Sequence, residues 1–580
     1  MTGSNAQTRT QQPSPARAGR ADLRGEGRRS ASEAPAGAAD AWLWAILACA
    51  AALRLSGLTL APPGINQDEA LSAWNGWCLL NTGHAMSGEP WPIFYTRNIG
   101  DYPTTLFFYV LVPFLKFFGL SVLSARLPVA LAGVAATALA WDLGRRLGGV
   151  TAGRWAGLAM AVAPWSVFLG HFGTGASLGP LQALLPLWLL VHSGLAPALG
   201  PGRSRYGWAW ALAAGLAFGV GTYGFHSLKL QLPLTLAAAL LVSPRSLRRA
   251  LSEPSTRVSL VALLVGFLGP FLPLAYVTLS DTNSLRRWEM TRLWAPGAPW
   301  SIVLQLVTER WAIHFSPDFL FARGDRYSML NPARMGALPW WMLPGLVTGI
   351  ALMLWRVLSD AKARLLLLLL ALYPVGDLVS ANDGVHSLRS AAGLPALALV
   401  VGFGTHELLA RLHDRRQLLR VATVALGLVA ASECARFGVR FFRDAVRDRT
   451  TQIEYQAALL EAGRWLALRM GRDDAVFCTT TGMNEPFVIL LVGLRYDAAR
   501  WLAAEKELIP GPFDRYRRFG RFDFIYDDTA QARMQVMRDD GRPERVWFVV
   551  RPGEFSLTAP EARFRAPDGE EMLWVCARTL

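Results

Sequence analysis

The stretch SAAGLPALALVVGFGTHELLARLHDRRQLLRVATVALGLVAASECARFGVR (390–440) holds two apolar runs, 390–410 and 419–440. A short connection carrying Arg411, Arg415, Arg416 and Arg420 joins them. Each run is long enough for a helix that crosses about 30 Å of hydrocarbon. Arginines confined to such a connection read as an orientation signal. The same pattern extends back through the chain. Apolar runs fall at 41–61, 122–143, 153–170, 179–198, 207–225, 228–244, 258–279, 338–356 and 363–380, giving about 11 expected spans in all. The expected fold is mainly α, a polytopic membrane protein.

Composition agrees. Of 580 residues 52% are hydrophobic and only 17% charged, against about 25% in soluble domains. The 22 tryptophans suit membrane–water interfaces. The formal charge of +15 does not point to nucleic acid, because the basic residues sit between apolar runs. They cluster in alternate connections: Arg145, Arg146 and Arg154; Arg203 and Arg205; Arg245, Arg248, Arg249 and Arg257; Arg356, Lys362 and Arg364; then the four in 411–420. All five fall on the side of the N-terminus, which the positive-inside rule makes cytoplasmic. Residues 1–40, with six arginines and few large apolar residues, read as a disordered basic cytoplasmic tail. The segment 104–119 would invert every later loop if it crossed. It is short and contains Pro113 and Lys116, so it is expected to lie in the outer leaflet or to be partly re-entrant.

Residues 41–442 then form the membrane domain, with outer loops 62–121 and 280–337. Residues 443–580 form a soluble extracytoplasmic α/β domain. A helical stretch at 452–470 is followed by strand-like runs at 475–480, 522–527, 545–550 and 572–577. The five cysteines have no metal-ligand spacing. An extracytoplasmic tail leaves a Cys478–Cys576 disulfide open.

Residues suited to chemistry gather at the outer ends of several spans. Asp68 and Glu69 follow a Pro-Pro-Gly turn and open a helical stretch at 68–82. Acids there are favoured by the helix dipole, and a carboxylate at the membrane surface can also accept a proton from a hydroxyl or amine. Asp101 and Tyr102 share that loop. His171 ends the third run, and His226 and Lys229 lie in the next outer turn. Arg323, Asp325 and Arg326 belong to the long loop. His386 and Arg389 stand where a span re-enters, and a guanidinium there can bind phosphate bidentately. A polar interface, cap or snorkelling role would account for each of these singly. No Walker or HExxH motif is present.

PPGINQDEALSAWNGWCLLNTG (62–83), GDYPTTLFFY (100–109), FGLSVLSARLP (118–128), GRRLGG (144–149), APWSVFLGHFG (163–173) and HSLRSAAGLP (386–395) occur in this order. In these segments, spread over 40–410, the chain resembles the GT-C glycosyltransferases. The branch is that of the protein O-mannosyltransferases and lipid A aminoarabinose transferases. The resemblance implies transfer of a sugar from a polyprenyl-phosphate donor to an extracytoplasmic acceptor, which can be a glycan, a lipid or a protein. It implies catalysis by Asp68, with Glu69 following in the family's acid pair, and Arg389 at the donor phosphate. Two segments depart from the pattern. Relatives read Asp-Tyr-Lys-Pro-Pro where this chain has Asp101-Tyr102-Pro103-Thr104-Thr105, so a lysine is missing. Gly179 stands where the aminoarabinose branch has an acid before a proline, leaving Glu69 or Asp101 as the second acid.

The resulting expectation is an inverting membrane glycosyltransferase. Asp68 is the base, Asp101, Tyr102, His171, His226, Lys229, His386 and Arg389 bind substrate, and neither a metal nor another cofactor is required. The alternatives are a lipid or lipid-linked sugar flippase, or a non-catalytic protein that binds a lipid-linked sugar. A flippase would usually carry ionisable groups within its spans, whereas these spans are largely uncharged in their middles.

Overall fold

A computed structural model describes residues 41–199, 206–244, 248, 251–471, 473–511, 514–526, 543, 545–554 and 559–579. The expected tail 1–40, Arg203, Arg205, Arg245, Arg249 and Asp527 lie outside the described residues.

The membrane part begins with α1 (Ala41–Leu55), α2 (Gln67–Thr82), α3 (Leu106–Phe118), α4 (Val122–Gly148), α5 (Val150–Val162), α6 (Pro164–Leu169), α7 (Gly179–Ser193), α8 (Gly207–Gly221) and α9 (Leu228–Leu241). Helices Pro254–Ser280, Trp300–Ile313, Leu343–Arg356, Ala361–Leu372, Leu394–Ala410 and Arg416–Val439 follow. The count of 11 spans is not confirmed. Among the described residues five helices are long and apolar enough to cross a membrane: Val122–Gly148, Gly175–Ser193, Pro254–Ser280, Ala391–Ala410 and Arg416–Arg447. The other expected runs form shorter helices. Proline explains one of the breaks. The run 153–170 divides at Ala163, where Pro164 starts α6 and cannot donate to the preceding turn. Arg54, fully buried, supplies donors to the carbonyls left open there: Met160 at 2.7 Å and Ala161 at 2.9 Å. α3 has 13 residues, about 20 Å at the rise of an α-helix, which is short of a full crossing.

Small residues let the helices approach closely. Leu394–Ala410 lies between α5 and Leu343–Arg356. A Cβ on Gly402 would stand 2.5 Å from the Ala152 carbonyl oxygen, and one on Gly404 would stand 1.9 Å from that of Gly345. This is the small-residue packing expected where lipid gives no hydrophobic drive between helices. The final long helix exposes Val421, Val424, Leu428 and Val429, as a surface facing acyl chains would.

The two ends of the bundle differ in chemistry. At one end Lys362 Nζ donates to the carbonyls of Arg146 and Leu147, Arg364 Nε to that of Val242, and Arg356 pairs with Glu407. The arginine-rich connections therefore meet. The opposite ends of the same helices carry the loops 62–105, 223–229 and 375–389.

The C-terminal region is a seven-stranded sheet in the order β2-β3-β4-β1-β5-β7-β6, comprising β1 (Ala475–Thr479), β2 (Lys506–Ile509), β3 (Arg515–Phe519), β4 (Phe522–Ile525), β5 (Arg545–Val550), β6 (Ala562–Arg565) and β7 (Glu571–Thr579). β4, β1 and β5 pair in parallel, and the outer strands are antiparallel. Helix Ala457–Ala467 packs on Pro486–Leu494. The expected helix 452–470 is broken at Gln456, which takes a left-handed conformation at φ 45°. Cys478 and Cys576 are buried free thiols on β1 and β7, with β5 between those strands, so no disulfide joins them. The domain is fastened to α2. Trp501 packs edge-on against Trp74 and donates to the Met86 carbonyl at 2.9 Å, and Trp77 donates to that of Tyr496 at 3.2 Å.

Gly404→Ala is expected to lower the thermal unfolding midpoint in detergent clearly. Gly427→Ala, where a Cβ meets nothing within 4 Å, leaves the midpoint level or raises it, since alanine favours helix by about 1 kcal/mol. Equal effects would remove the close approach as the reason for glycine at 404.

Candidate functional site

The site starts from the N-terminus of α2. Asn66 caps it: its side chain accepts from Asp68 N at 3.0 Å, while Glu69 Oε2 accepts from Asn66 N at 3.1 Å. This reciprocal box satisfies donors the first turn would otherwise leave open. Glu69 and Arg126 are fully buried and paired, with Nε 2.8 Å from Oε1 and Nη2 2.9 Å from Oε2. Arg126 uses its remaining donors on the carbonyls of Leu58, Pro62 and Gly64. Glu69 Oε1 also accepts from Gly173 N at 2.8 Å. One ion pair thus joins α2, α4, the turn after α1 and the loop after α6.

That geometry corrects one sequence expectation. Glu69 has no open face from which to take a proton from substrate, and its role is architectural. Asp68, its neighbour on the helix, instead lines a cavity of about 440 Å3. Asp101, His226, Lys229, His386 and Arg389 line the same cavity, with Leu71, Phe107, Phe108, Phe225 and Trp288 among its apolar walls. Six of the nine expected site residues therefore converge from four separate segments of chain.

The other two expected residues lie elsewhere. His171 is fully buried, with its ring nitrogens 2.8 and 2.9 Å from the carbonyl oxygens of Ala61 and Leu53. It fastens the loop after α6 to the turn after α1 and does not reach the cavity. Tyr102 packs edge-on against Tyr95 and does not line the cavity. Of the long-loop candidates, Arg323 and Arg326 pair with Asp318 and Asp383 at the surface.

Lys229, at the start of α9, donates to Thr278 Oγ1 at 3.4 Å and lies 5.8 Å from the centre of the Tyr95 ring. Tyr95 OH in turn donates to Asp281 at 3.2 Å. Arg389 Nη1 donates to Asn382 Oδ1 at 3.0 Å. The acids Asp68 and Asp101 and the cations Lys229 and Arg389 thus surround one amphipathic space. Such a space suits an amphiphile with a charged head. The departures from the family pattern also find a structural setting. Pro103 and Lys229 line the same cavity. A Cβ on Gly179 would stand 2.9 Å from Ala392 N, so no acid fits there without displacing the backbone.

Sequence reading missed Arg126, Asp377, Arg310 and His314. Asp377 is fully buried and pairs with Arg310 at 2.8 Å. An acid and an arginine inside apolar runs, at 377 and 126, were the available signals. Asp325, the acid among the long-loop candidates, is buried and accepts from Ser387 N at 2.8 Å and Tyr327 N at 2.9 Å. Among the described residues no group of three or more His, Cys, Asp or Glu is arranged to hold a metal.

Residues 103–272 match the family described as dolichyl-phosphate-mannose-protein mannosyltransferase. No curated protein matches the chain. Among solved structures the chain is similar to ArnT from Cupriavidus metallidurans bound to undecaprenyl phosphate, at 15% identity and a TM-score of 0.53, over 92% of this chain and 98% of that one. It is similar to ArnT in the apo state at 14% identity and a TM-score of 0.53, over 92% and 97% of the two chains. The archaeal oligosaccharyltransferase AglB from Archaeoglobus fulgidus shows 12% identity and a TM-score of 0.44, over 88% of this chain and 69% of that one. The family match and the ArnT-like fold bear out the GT-C resemblance.

Two measurements probe the architecture. Arg126→Ala leaves Glu69 buried without its partner and should cost about 3–5 kcal/mol of stability, read as a large fall in the unfolding midpoint; a fall of a degree or less would contradict the role given to the pair. Burial pushes the Asp325 carboxyl up to about 6, above its ordinary value near 4. Between those values the folded protein holds a proton that the unfolded chain releases. The contribution to stability is therefore full below about pH 4 and is lost as pH rises through 6. Asp325→Asn should flatten the stability curve across that window.

Proposed function

On the premise that this integral membrane chain has the GT-C glycosyltransferase fold, we propose that it transfers a sugar from a polyprenyl-phosphate donor to an acceptor outside the cytoplasm. The observation that carries this reading is the cavity itself, with carboxylates and cations set among many apolar side chains. ArnT, similar in fold, binds undecaprenyl phosphate. A lipid-linked sugar phosphate offers a complement to each part of this cavity: an apolar tail for the apolar side chains, an anionic head for Lys229 and Arg389, and a polar ring for Asp68 and Asp101.

Asp68 is the base. An acceptor hydroxyl or amine gives its proton to the Asp68 carboxylate as its oxygen or nitrogen attacks the anomeric carbon. The bond from that carbon to the phosphate oxygen breaks, and its electron pair leaves with the lipid phosphate. A single displacement of this kind inverts the anomeric centre. The leaving phosphate needs charge compensation rather than a proton. Arg389 and Lys229 supply it, Lys229 taking the place of the lysine that relatives carry at the position of Pro103. Asp101 is the remaining acid on the wall and orients the acceptor. The bundle end that carries the cavity is extracytoplasmic, as is the C-terminal sheet, and the N-terminus and the arginine-rich end are cytoplasmic.

The test uses purified protein, radiolabelled polyprenyl-phosphate sugars and native membrane extract as acceptor. Wild type should move label to an extract component, and Asp68→Asn should lose about 100- to 10,000-fold in kcat, the range for removing a general base. Glu69→Gln should act chiefly on the unfolding midpoint. Full activity in Asp68→Asn would remove Asp68 from this role.

A further inference from the structure

Arg389 does not stand alone in the turn 380–389. Asp377, in the short turn Val375–Asp377, is fully buried and accepts three hydrogen bonds, with a histidine close by. Its Oδ2 accepts from Arg310 Nη2 at 2.8 Å and His386 N at 3.0 Å, with His314 Nε2 at 3.3 Å, and its Oδ1 accepts from Asn382 Nδ2 at 3.0 Å. The Asn382 amide is thereby fixed in orientation, so that its Oδ1 faces Arg389 Nη1 at 3.0 Å. Arg310 reinforces the turn by donating to the Asn382 carbonyl at 3.1 Å. The next residue after His386 is held from the other side, by Asp325 accepting from Ser387 N.

Distances decide what this network does to the arginine. Asp377 is 2.8 Å from Arg310 but 3.9 Å from Arg389. Its charge is matched mainly by Arg310, on helix Trp300–Ile313. The contact of Arg389 with Asn382, a neutral amide, orients the guanidinium without cancelling it. A long arginine side chain has many rotamers, and ordering it costs conformational entropy. Fixing it before the ligand arrives removes that cost from binding.

We propose that Asn382, held by the buried Asp377–Arg310 pair, is a positioning residue that presets Arg389 for the phosphate of the lipid donor. The inference rests on reading the cavity as the donor site. It adds the long outer loop to the machinery: helix Trp300–Ile313 leaves Trp300, Ile302 and Leu304 exposed and sends Arg310 inward to complete the set.

Binding of undecaprenyl phosphate to the full-length protein in detergent, measured for wild type, Asn382→Ala, Arg389→Ala and the double variant, tests it. Asn382 is half-buried and gives up one donor to buried Asp377 when replaced, so the unfolding midpoint should fall by a few degrees while the protein stays folded at the assay temperature. Asn382→Ala should weaken binding about tenfold. In the Arg389→Ala background the same change should have no further effect, because a positioning residue has nothing left to position. Additive losses, or unchanged affinity in Asn382→Ala, would overturn the proposal while leaving the donor site in place. Failure of wild type itself to bind the lipid would overturn the donor-site reading and this inference with it.

Discussion

Glu69 and Arg126 form an ion pair that water does not reach. Burying two charges is costly, and the cost is met only when the geometry is good and the remaining hydrogen-bonding capacity is satisfied. Here Arg126 reaches both carboxylate oxygens and three backbone carbonyls, and Glu69 also accepts from Asn66 N and Gly173 N. The pair therefore fixes the relative placement of α2, α4 and two loops. Asp68 faces the cavity because its neighbour on the helix is locked inward. The acid pair divides its labour: one carboxylate builds the frame and the other lines the cavity.

The same division recurs at the opposite wall. Asp377 and Arg310 neutralise each other in the interior, while Arg389, bonded through Asn382, lines the cavity. In both places a buried pair stabilises the backbone that presents a charged residue to the cavity. The C-terminal sheet contributes to the first frame. Ile65 N donates to the Tyr455 carbonyl at 2.8 Å, and Trp501 locks onto α2. This domain braces the acid-bearing helix, so it is part of the site's support.

The periodicity of the chain made part of this legible. Apolar runs and arginine-rich connections predicted a helical membrane domain with distinct ends, and β1 and β5 were read to within a residue. Six cavity residues were found because acids and cations at span ends are unusual enough to be noticed. The rest depended on information that hydropathy does not carry. Pro164 and the turn at Tyr373–Pro374 end helices inside runs that remain apolar, so span counting exceeded the long helices present. Glu69 and Asp68 look alike in sequence, and only the partner at position 126, more than fifty residues away, tells them apart. The short strands β2, β3 and β6 carry arginine, lysine and glutamate on their exposed faces, which hides them from a hydrophobic pattern.

The measurement that bears most directly on this account is the position of a bound lipid phosphate. A cryo-EM structure of the protein with undecaprenyl phosphate should place the phosphorus between Lys229 and Arg389, with the prenyl chain leaving along the apolar wall and Asp68 facing the head across the cavity. Phosphate density at the arginine-rich end of the bundle, or on the outer surface away from both cations, would contradict it.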